Sequence, residues 1–403
     1  LADQRNTSLQ IDSLSREISR VIPGFSDAQY SSWDAILSTL NARVLNKLTV
    51  VIDEFPYLVQ VSPELPSILQ NFIDKKTRIN IILCGSSQRM MQGLVLDSTA
   101  PLYGRADEII KLNPLKPGWI PQTLGFSDIR SLEAYAAWGG IPRYWELAKK
   151  FKNLNKSLKE LVFDRNGVLH NEPSRLLADD MKSIVQANSL LSLIANGCHK
   201  ISEISARIKI PSTSLTRPLS NLIELGYIKR ELPFGENIKS TKRTLYKLND
   251  NFLTFWYRYI QPNKSLLEMD LIDEVFSECE KYFSFHHSKI WEELARVSTS
   301  SLSIGNIAWK PAHRWWGTGK DGKKIEVDVI AESFDGKSLL FGEVKWSGKI
   351  KSSSQIERLD HIISNFPGLP NKQIVKALWL KNKPAKNINL PIIYPKDVLS
   401  TMV

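Results

Sequence analysis

Apolar positions along this chain fall into two kinds of run. Leu9, Ile11, Leu14, Ile18 and Val21 recur at helical spacing, and Pro23-Gly24 ends that segment. A second helix is expected over Trp33 to Leu45. The pattern then changes. Leu48-Thr49-Val50-Val51-Ile52 is a continuous, largely β-branched run, as in a strand buried on both faces of a parallel sheet, and it runs straight into Asp53-Glu54. An amphipathic segment (Ile68, Leu69, Phe72, Ile73) leads to a second such run, Ile79-Asn80-Ile81-Ile82-Leu83, which ends in Cys84-Gly85-Ser86-Ser87. Two parallel-type strands joined by a helix make a βαβ unit. Both polar ends then stand at the C-terminal edge of the sheet, where open α/β folds place ligands.

Further along, Tyr135 to Trp145 reads as a helix, a sharp break at Gly139-Gly140, and a second helix. Leu190 to Ile194, Ile201 to Ile208 and a segment opened by Pro211-Ser212 read as three helices. The third keeps Leu215, Leu219, Leu222 and Ile223 on one face and stops at Gly226. Strand-like runs at Tyr227 to Leu232 and Thr244 to Leu248 complete a winged helix-turn-helix order. The aromatic run Phe252, Phe255, Trp256, Tyr257 and Tyr259 suits a hydrophobic joint better than a base-stacking platform. Near the end, Ile325 to Ala331 alternates, Ser338 to Trp346 is strand-like, and Asp335-Gly336 between them is a two-residue hairpin signal. That turn sets Phe334 opposite Lys337. Continuing the register puts Asp328 opposite Glu343 and Glu326 opposite Lys345, all on one face.

Composition narrows the class. The chain has 403 residues, 42% of them apolar, which excludes wholesale disorder and suggests several domains. No run approaches a membrane span, and the N-terminus lacks a signal layout. The cysteines, Cys84, Cys198 and Cys279, are odd in number and far apart, which points to a reducing, cytoplasmic setting without a disulfide framework. A formal charge of +11 and a pI near 9.3 favour an anionic partner such as nucleic acid. Residues 197–250 hold ten Lys/Arg against five Asp/Glu, a local net of +5.

Candidate chemistry follows from these placements. At the end of a buried strand Asp53 can hold Mg²⁺, directly or through water, and Glu54 can orient or deprotonate an attacking water. Ser86 or Ser87 at the next strand end could sense a terminal phosphate. Arg105, in Leu102-Tyr103-Gly104-Arg105, could reach a phosphate as an arginine finger or form a surface ion pair. Ser212, Thr213, Thr216 and Arg217 on the third helix and Lys239, Lys242 and Arg243 on the wing suit phosphate and base-edge contacts, although such modules also serve as protein-docking units. In the hairpin, two carboxylates facing each other call for a cation between them, with Lys345 placed to orient water or stabilise phosphorane charge.

Taken together, Val51-Ile52-Asp53-Glu54-Phe55-Pro56-Tyr57-Leu58, Leu83-Cys84-Gly85-Ser86-Ser87, Leu102-Tyr103-Gly104-Arg105 and Trp138-Gly139-Gly140-Ile141-Pro142 resemble, in order and spacing, the archaeal-type ATPases of the AAA+/STAND branch of P-loop proteins. In that family these strings mark Walker B, the sensor strand, an arginine-bearing turn and the helical lid. The D…E-x-K hairpin is similar to the PD-(D/E)xK nuclease superfamily and to the domain of unknown function fused to these ATPases. The superfamily's helical acid falls on Glu292, and Val327 stands where it usually has Pro. One departure is large. No G-x-x-x-x-G-K-[ST] loop precedes Leu9, and Gly317-Thr318-Gly319-Lys320-Asp321-Gly322-Lys323-Lys324 fails because it ends in Lys324 and leads into a strand. Either the P-loop lies outside this chain or the protein is a degenerate member.

The expected fold is therefore multidomain α/β: a partial P-loop ATPase core over 1–125, a helical lid over 126–185, a winged helix-turn-helix over 186–265 and a restriction-endonuclease-like α/β domain over 266–403. The resemblance implies ATP and Mg²⁺ as cofactors, DNA as partner, no membrane, and room for a homo-oligomer. Catalysis would fall to Glu54, Asp328, Glu343 and Lys345, with metal at Asp53, Glu292, Asp328 and Glu343. The competing expectation is a non-catalytic DNA- or protein-binding regulator with degenerate ATPase and nuclease sites.

Overall fold

A computed structural model describes residues 5–75, 77–86, 88–180, 183–237, 241, 243–347, 352–369, 371–385 and 388–403. The chain divides into two compact units, Leu1–Leu112 and Asn113–Val403. Among the described residues no helix is long and apolar enough to cross a membrane.

The first unit runs α1 (Thr7–Ser19), α2 (Trp33–Arg43), β1 (Leu48–Ile52), α3 (Phe55–Val61), α4 (Leu65–Asp74), β2 (Ile79–Leu83) and α5 (Gln88–Val95). Side chains start the first two helices: Asn6 accepts from the Leu9 N–H at 3.1 Å and Ser32 from the Ala35 N–H at 3.2 Å. The strands pair parallel, Leu48 with Ile79 through Ile52 with Leu83, as a βαβ unit requires. Burial on both faces, expected from the apolar run, is not found. Ile52 and Ile79 join the core built by Ile36, Leu40, Phe55 and Leu69, whereas Thr49, Val51, Asn80 and Ile82 are exposed. The reason is geometric. Alternate residues of a pleated pair point to opposite faces, and the helical core covers one face of this two-stranded sheet.

The second unit begins with helices. These are α6 (Ile120–Leu124), α7 (Asp128–Trp138), α8 (Pro142–Lys149), α9 (Leu154–Leu158), α10 (Glu172–Asp180), α11 (Ile184–Ala195), α12 (Ile201–Ile208) and α13 (Ser212–Glu224). The antiparallel pair β3 (Ile228–Glu231) and β4 (Leu245–Leu248) follows, then α14 (Asn251–Tyr259), α15 (Lys264–Glu268), α16 (Ile272–Glu280) and α17 (Phe283–Thr299). One core spans all of these elements, from Ile120 to Phe283, and the aromatic run of α14 is buried in it. Each aromatic fully buried there contributes about 1.5–3 kcal/mol. The break between α7 and α8 is fixed sterically. The Leu115 N–H donates to the Gly140 carbonyl at 2.7 Å, and a Cβ on Gly140 would lie 2.1 Å from the Leu115 carbonyl oxygen.

The last third is a mixed five-stranded sheet in the order β5-β6-β7-β8-β9, made by β5 (His313–Thr318), β6 (Lys324–Glu332), β7 (Ser338–Lys345), β8 (Gln373–Leu380) and β9 (Ile392–Ile393). The β5–β6–β7 pairs are antiparallel and the β7–β8–β9 pairs parallel. Two helices, α18 (Ser352–Asn365) between β7 and β8 and α19 (Pro395–Ser400) at the end, complete it. Separate cores lie on the two sheet faces, one shared with α17 and one with α18. The hairpin keeps the expected register, with Glu332 to Val329 pairing with Leu339 to Gly342 and Gly336 at φ +73°, but the turn is longer than two residues: the Phe334 N–H donates to the Ala308 carbonyl instead of pairing with Lys337.

Candidate functional site

The first candidate site sits where β1 ends. Backbone bonding continues past both strands, Cys84 N–H to the Ile52 carbonyl and Phe55 N–H to the Cys84 carbonyl, each at 2.9 Å. These bonds draw the chain into a tight turn at Glu54, a non-glycine residue at φ +55°. Left-handed backbone at such a residue carries strain and is found where structure around it enforces the geometry. Here the result is a directed carboxylate. Glu54 Oε2 accepts the Ser86 hydroxyl at 2.9 Å and its N–H at 3.4 Å. Gly85 makes this approach feasible, since a Cβ there would lie 2.8 Å from the Pro56 ring and 2.7 Å from Met91 Sδ. Asp53 is exposed beside it, with Oδ1 accepting the Glu54 N–H at 3.0 Å. An exposed carboxylate of this kind suits a hard divalent cation.

Two other residues expected here are placed differently. Ser87 lies outside the described residues. Arg105 is committed to Asp74, with Nε and Nη2 on the two carboxylate oxygens at 3.0 and 3.1 Å, and Nη1 on the Pro101 and Tyr103 carbonyls. Of its two expected roles, the ion pair is the one this geometry holds.

The second candidate site lies on the β6–β7 hairpin. Asp328 is at an irregularity. His313 pairs with Ile330 but Trp315 with Val327, so β6 carries one extra residue against β5. Bulges of this kind re-aim a side chain. The core assignments show the same shift: Ile325 and Val327 lie on the α18 side with Ile330, while Val329 faces α17. Glu326, flanked by Ile325 and Val327, pairs with Arg314 Nε at 2.6 Å.

Asp328 is buried and its Oδ2 accepts the Val344 N–H at 3.0 Å, while its carbonyl accepts from Arg296 at 2.9 Å. Glu343 is fully buried. Its Oε1 is held by Lys345 and, at 3.2 Å, by Arg358 Nε of α18, and among the described residues its Oε2 has no hydrogen-bond partner. Burial and the nearby Asp328 charge raise the Glu343 carboxyl above its ordinary value, against the opposing pull of Lys345 and Arg358. Burial and Asp328 likewise raise Glu292 on α17, which Lys289 holds at 2.9 Å. Asp328 is thus the charge that both glutamates sense. The expected metal set is nevertheless not assembled. Among the described residues no three His, Cys, Asp or Glu side chains converge closely enough to hold a metal ion. The reason is visible in the pairing: the chain's own Lys289, Lys345 and Arg358 neutralise the glutamates. Among the described residues, Glu343 Oε2 is the one buried carboxylate oxygen left without a hydrogen-bond partner.

The expected nucleic-acid contacts divide in the same way. Thr213, Thr216 and Arg217 are exposed on α13 and Ser212 is half-buried at its start. Lys239 and Lys242 lie outside the described residues. Arg243 folds back on the sheet, paired with Glu236 and donating to the Trp316 carbonyl at 2.8 Å.

Sequence reading missed the joint that makes this possible. Glu231 at the end of β3 meets Lys247 at 2.7 Å, Arg314 at 3.4 Å and Arg296 at 3.7 Å. Burial alone would raise its carboxyl, but the three cations outweigh that and hold it at about 2. The only sequence signal was an acid inside a basic strand, Ile228-Lys229-Arg230-Glu231, whose partners are far along the chain.

These features define an α/β protein with a carboxylate-bearing strand edge in one unit and a buried acid–cation cluster in the other. The family DUF234, described as archaeal and bacterial proteins of unknown function, matches residues 256–358, which contain α17 and the β6–β7 hairpin. An uncharacterized protein of Methanocaldococcus jannaschii, MJECL04, is 31% identical over 339 residues, covering 82% of this chain and 73% of that protein. The chain belongs to the family of that archaeal protein. Among solved structures, the Walker-type ATPase PABY2304 of Pyrococcus abyssi overlaps 62% of this chain and 77% of its own at 19% identity and a TM-score of 0.48. Protein VC1899 from Vibrio cholerae overlaps 91% of this chain and 92% of its own at 8% identity and a TM-score of 0.21. Neither overlap is close enough to assign a fold.

Proposed function

We propose that this chain belongs to an ATP-hydrolysing protein directed at DNA. The observation that carries the reading is the Glu54–Ser86 contact at the C-terminal ends of a parallel strand pair. It joins the acid of a Walker B-like strand to the hydroxyl of the neighbouring strand, so that one sensor-like side chain positions the other. When bound, Mg²⁺ would neutralise phosphate charge. Asp53 would hold it, directly or through water, Glu54 would orient the attacking water, and Ser86 would fix the Glu54 carboxylate. The phosphate-cradling loop that this chemistry needs is not among the residues of this chain.

In the second unit, α11 to α13 with β3 and β4 act as a winged helix, presenting Thr213, Thr216 and Arg217 to DNA. The β6–β7 hairpin acts as a PD-(D/E)xK-type site. Asp328 and Glu343 would hold Mg²⁺, which would supply Lewis-acid activation of a phosphodiester, and Lys345 would stabilise the developing charge. What supports this is the Asp328 carboxylate bonded to the N–H of Val344, next to Glu343, and, among the described residues, the unpartnered Glu343 Oε2. The regulator reading also has an observation in its favour, because Glu343 Oε1 is already neutralised by two side chains.

The test is Mg²⁺-dependent ATP turnover by the full-length native protein, with and without DNA, together with nicking of plasmid DNA. DNA-stimulated turnover supports the reading. Nicking lost in Glu343→Ala assigns the hairpin as catalytic, and equal background nicking by both proteins leaves it as a binding remnant. Absence of ATP turnover would overturn the proposal.

A further inference from the structure

A cleft of about 730 Å³ opens within the second unit beside the buried acids. It is walled by three parts of the chain: the start of α12 with the approach to β4, the β5–β6 turn, and α18. Lys200, Arg243, Lys323, Lys324 and Arg358 line it together with Trp316, and among the described residues Glu326 is the only acid on its wall. Glu326 is itself occupied by Arg314. Three of the cations lean on acids behind the wall, Lys200 on Glu203, Arg243 on Glu236 and Arg358 on Glu343. His361, also on the wall, stands 3.7 Å from Asp321. Lys323 and Lys324 are exposed and make no ion pair among the described residues, and Lys324 donates only to the Thr318 hydroxyl at 2.7 Å. The β5–β6 turn thus carries Lys320, Lys323 and Lys324 against Asp321, a net of +2.

Size and lining together select the occupant. A pocket of this volume takes a ligand of small-molecule dimensions, not a duplex. Its cations come from separate parts of the chain, as contacts to successive phosphates would. Trp316, partly exposed, offers an aromatic surface for a base. Arg358 connects the cleft to the acid pair, since its Nε stands 3.2 Å from Glu343 Oε1.

We propose that this cleft holds one or two unpaired nucleotides of a nucleic-acid strand, with phosphates on Lys323, Lys324 and Arg358 and a base against Trp316. The inference rests on the nucleic-acid reading above and adds to it a second binding place, apart from α13, that takes single-stranded and not duplex chain. A strand so placed would reach Glu343 from the α18 side and compete with the carboxylate for Arg358.

Fluorescence anisotropy with a short labelled oligodeoxythymidylate tests it, across about 50 to 200 mM salt. Four proteins are compared: wild type, Lys323→Glu with Lys324→Glu, Arg217→Glu on α13, and Lys149→Glu with Lys150→Glu at the end of α8. The last pair is exposed and changes net charge identically to the cleft pair. The cleft pair should weaken binding at least about ten-fold. It should also shrink the slope of log affinity on log salt by about 1.4, the share of two phosphate contacts on a single strand. The α8 pair should change affinity less than about two-fold, and Arg217→Glu should weaken duplex binding more than single-strand binding. Wild-type affinity in both double variants would overturn the cleft while leaving the nucleic-acid reading intact. Equal loss in both would reduce the effect to general charge and overturn it too. Displacement of the strand by thymidine monophosphate at equal concentration would make the occupant a free nucleotide and overturn the strand assignment. No binding of any nucleic acid by wild type would overturn both readings.

Discussion

The two acid clusters of this molecule differ in how their charge is held. Asp53 and Glu54 stand at a turn open to water, and among the described residues the side chain bonded to Glu54 is a serine hydroxyl. Asp328, Glu343 and Glu231 are buried or nearly so, and the glutamates are met by cations from the chain itself. The difference teaches what each region needs. Exposed acids cost little folding free energy and are free to meet whatever arrives. Buried acids must be neutralised before folding is complete, so their cations are part of the structure and any ligand must compete with them.

The largest expected break in this contrast is Glu231→Gln. It leaves Lys247, Arg296 and Arg314 without their shared anion and should cost about 3 kcal/mol in urea denaturation. Glu54→Gln should stay within about 0.5 kcal/mol of wild type in the same experiment. The sign with pH follows. With its carboxyl held at about 2, Glu231 contributes its full stability above the ordinary carboxylate value of 4.5 and loses it as pH falls toward 2. Lys247 opposes this, since burial lowers its ammonium, but three cations on one carboxylate decide the balance. Acid titration of Glu231→Gln should therefore show a flatter loss of stability below pH 4.5 than wild type.

Next is Gly342→Ala. Its Cβ would lie 2.4 Å from the Trp379 ring and 2.9 Å from Val329, in the core shared with α17. A loss of about 2 kcal/mol in the denaturation midpoint is expected. A smaller effect sharpens the contrast at Glu343. Its carboxyl is raised, so the protonated form is favoured in the fold and stability from this group falls as pH rises. A divalent cation on the free Oε2 should offset that. Mg²⁺ at ten times its dissociation constant should stabilise wild type by about 1.4 kcal/mol and leave Glu343→Gln unchanged. Equal stabilisation of both would place the cation elsewhere. Smallest is Arg105→Ala, which removes a partly exposed ion pair and should cost under about 1 kcal/mol. ATP turnover of that variant should stay at wild-type level if Arg105 only anchors Asp74, and would fall sharply if it reaches phosphate.

Local pattern carried much of this fold. The parallel pair β1–β2, the inward leucines of α13 and the Asp335-Gly336 register all follow from side-chain period and turn chemistry, which act between near neighbours. Three features were not legible. The exposed face of β1 was hidden because a β-branched run does not say how many faces are covered. The extra residue near Asp328 was hidden because a bulge depends on the β5 partner. The cations on Glu343 and Glu231 were hidden because Arg358, Arg296 and Arg314 come from distant elements. The site residues were thus legible as types at positions, whereas their partners, which decide what the site can do, were not.

The most direct test of the account is ATP handling by Glu54→Gln in the full-length native protein with Mg²⁺. The amide keeps the shape and can still meet Ser86 but cannot take a proton from water. The expected result is ATP bound within about three-fold of wild type and hydrolysis reduced about a hundred-fold or more. Wild-type hydrolysis by this variant would contradict the assignment of Glu54, and with it the reading of the first unit as a nucleotide-hydrolysing edge.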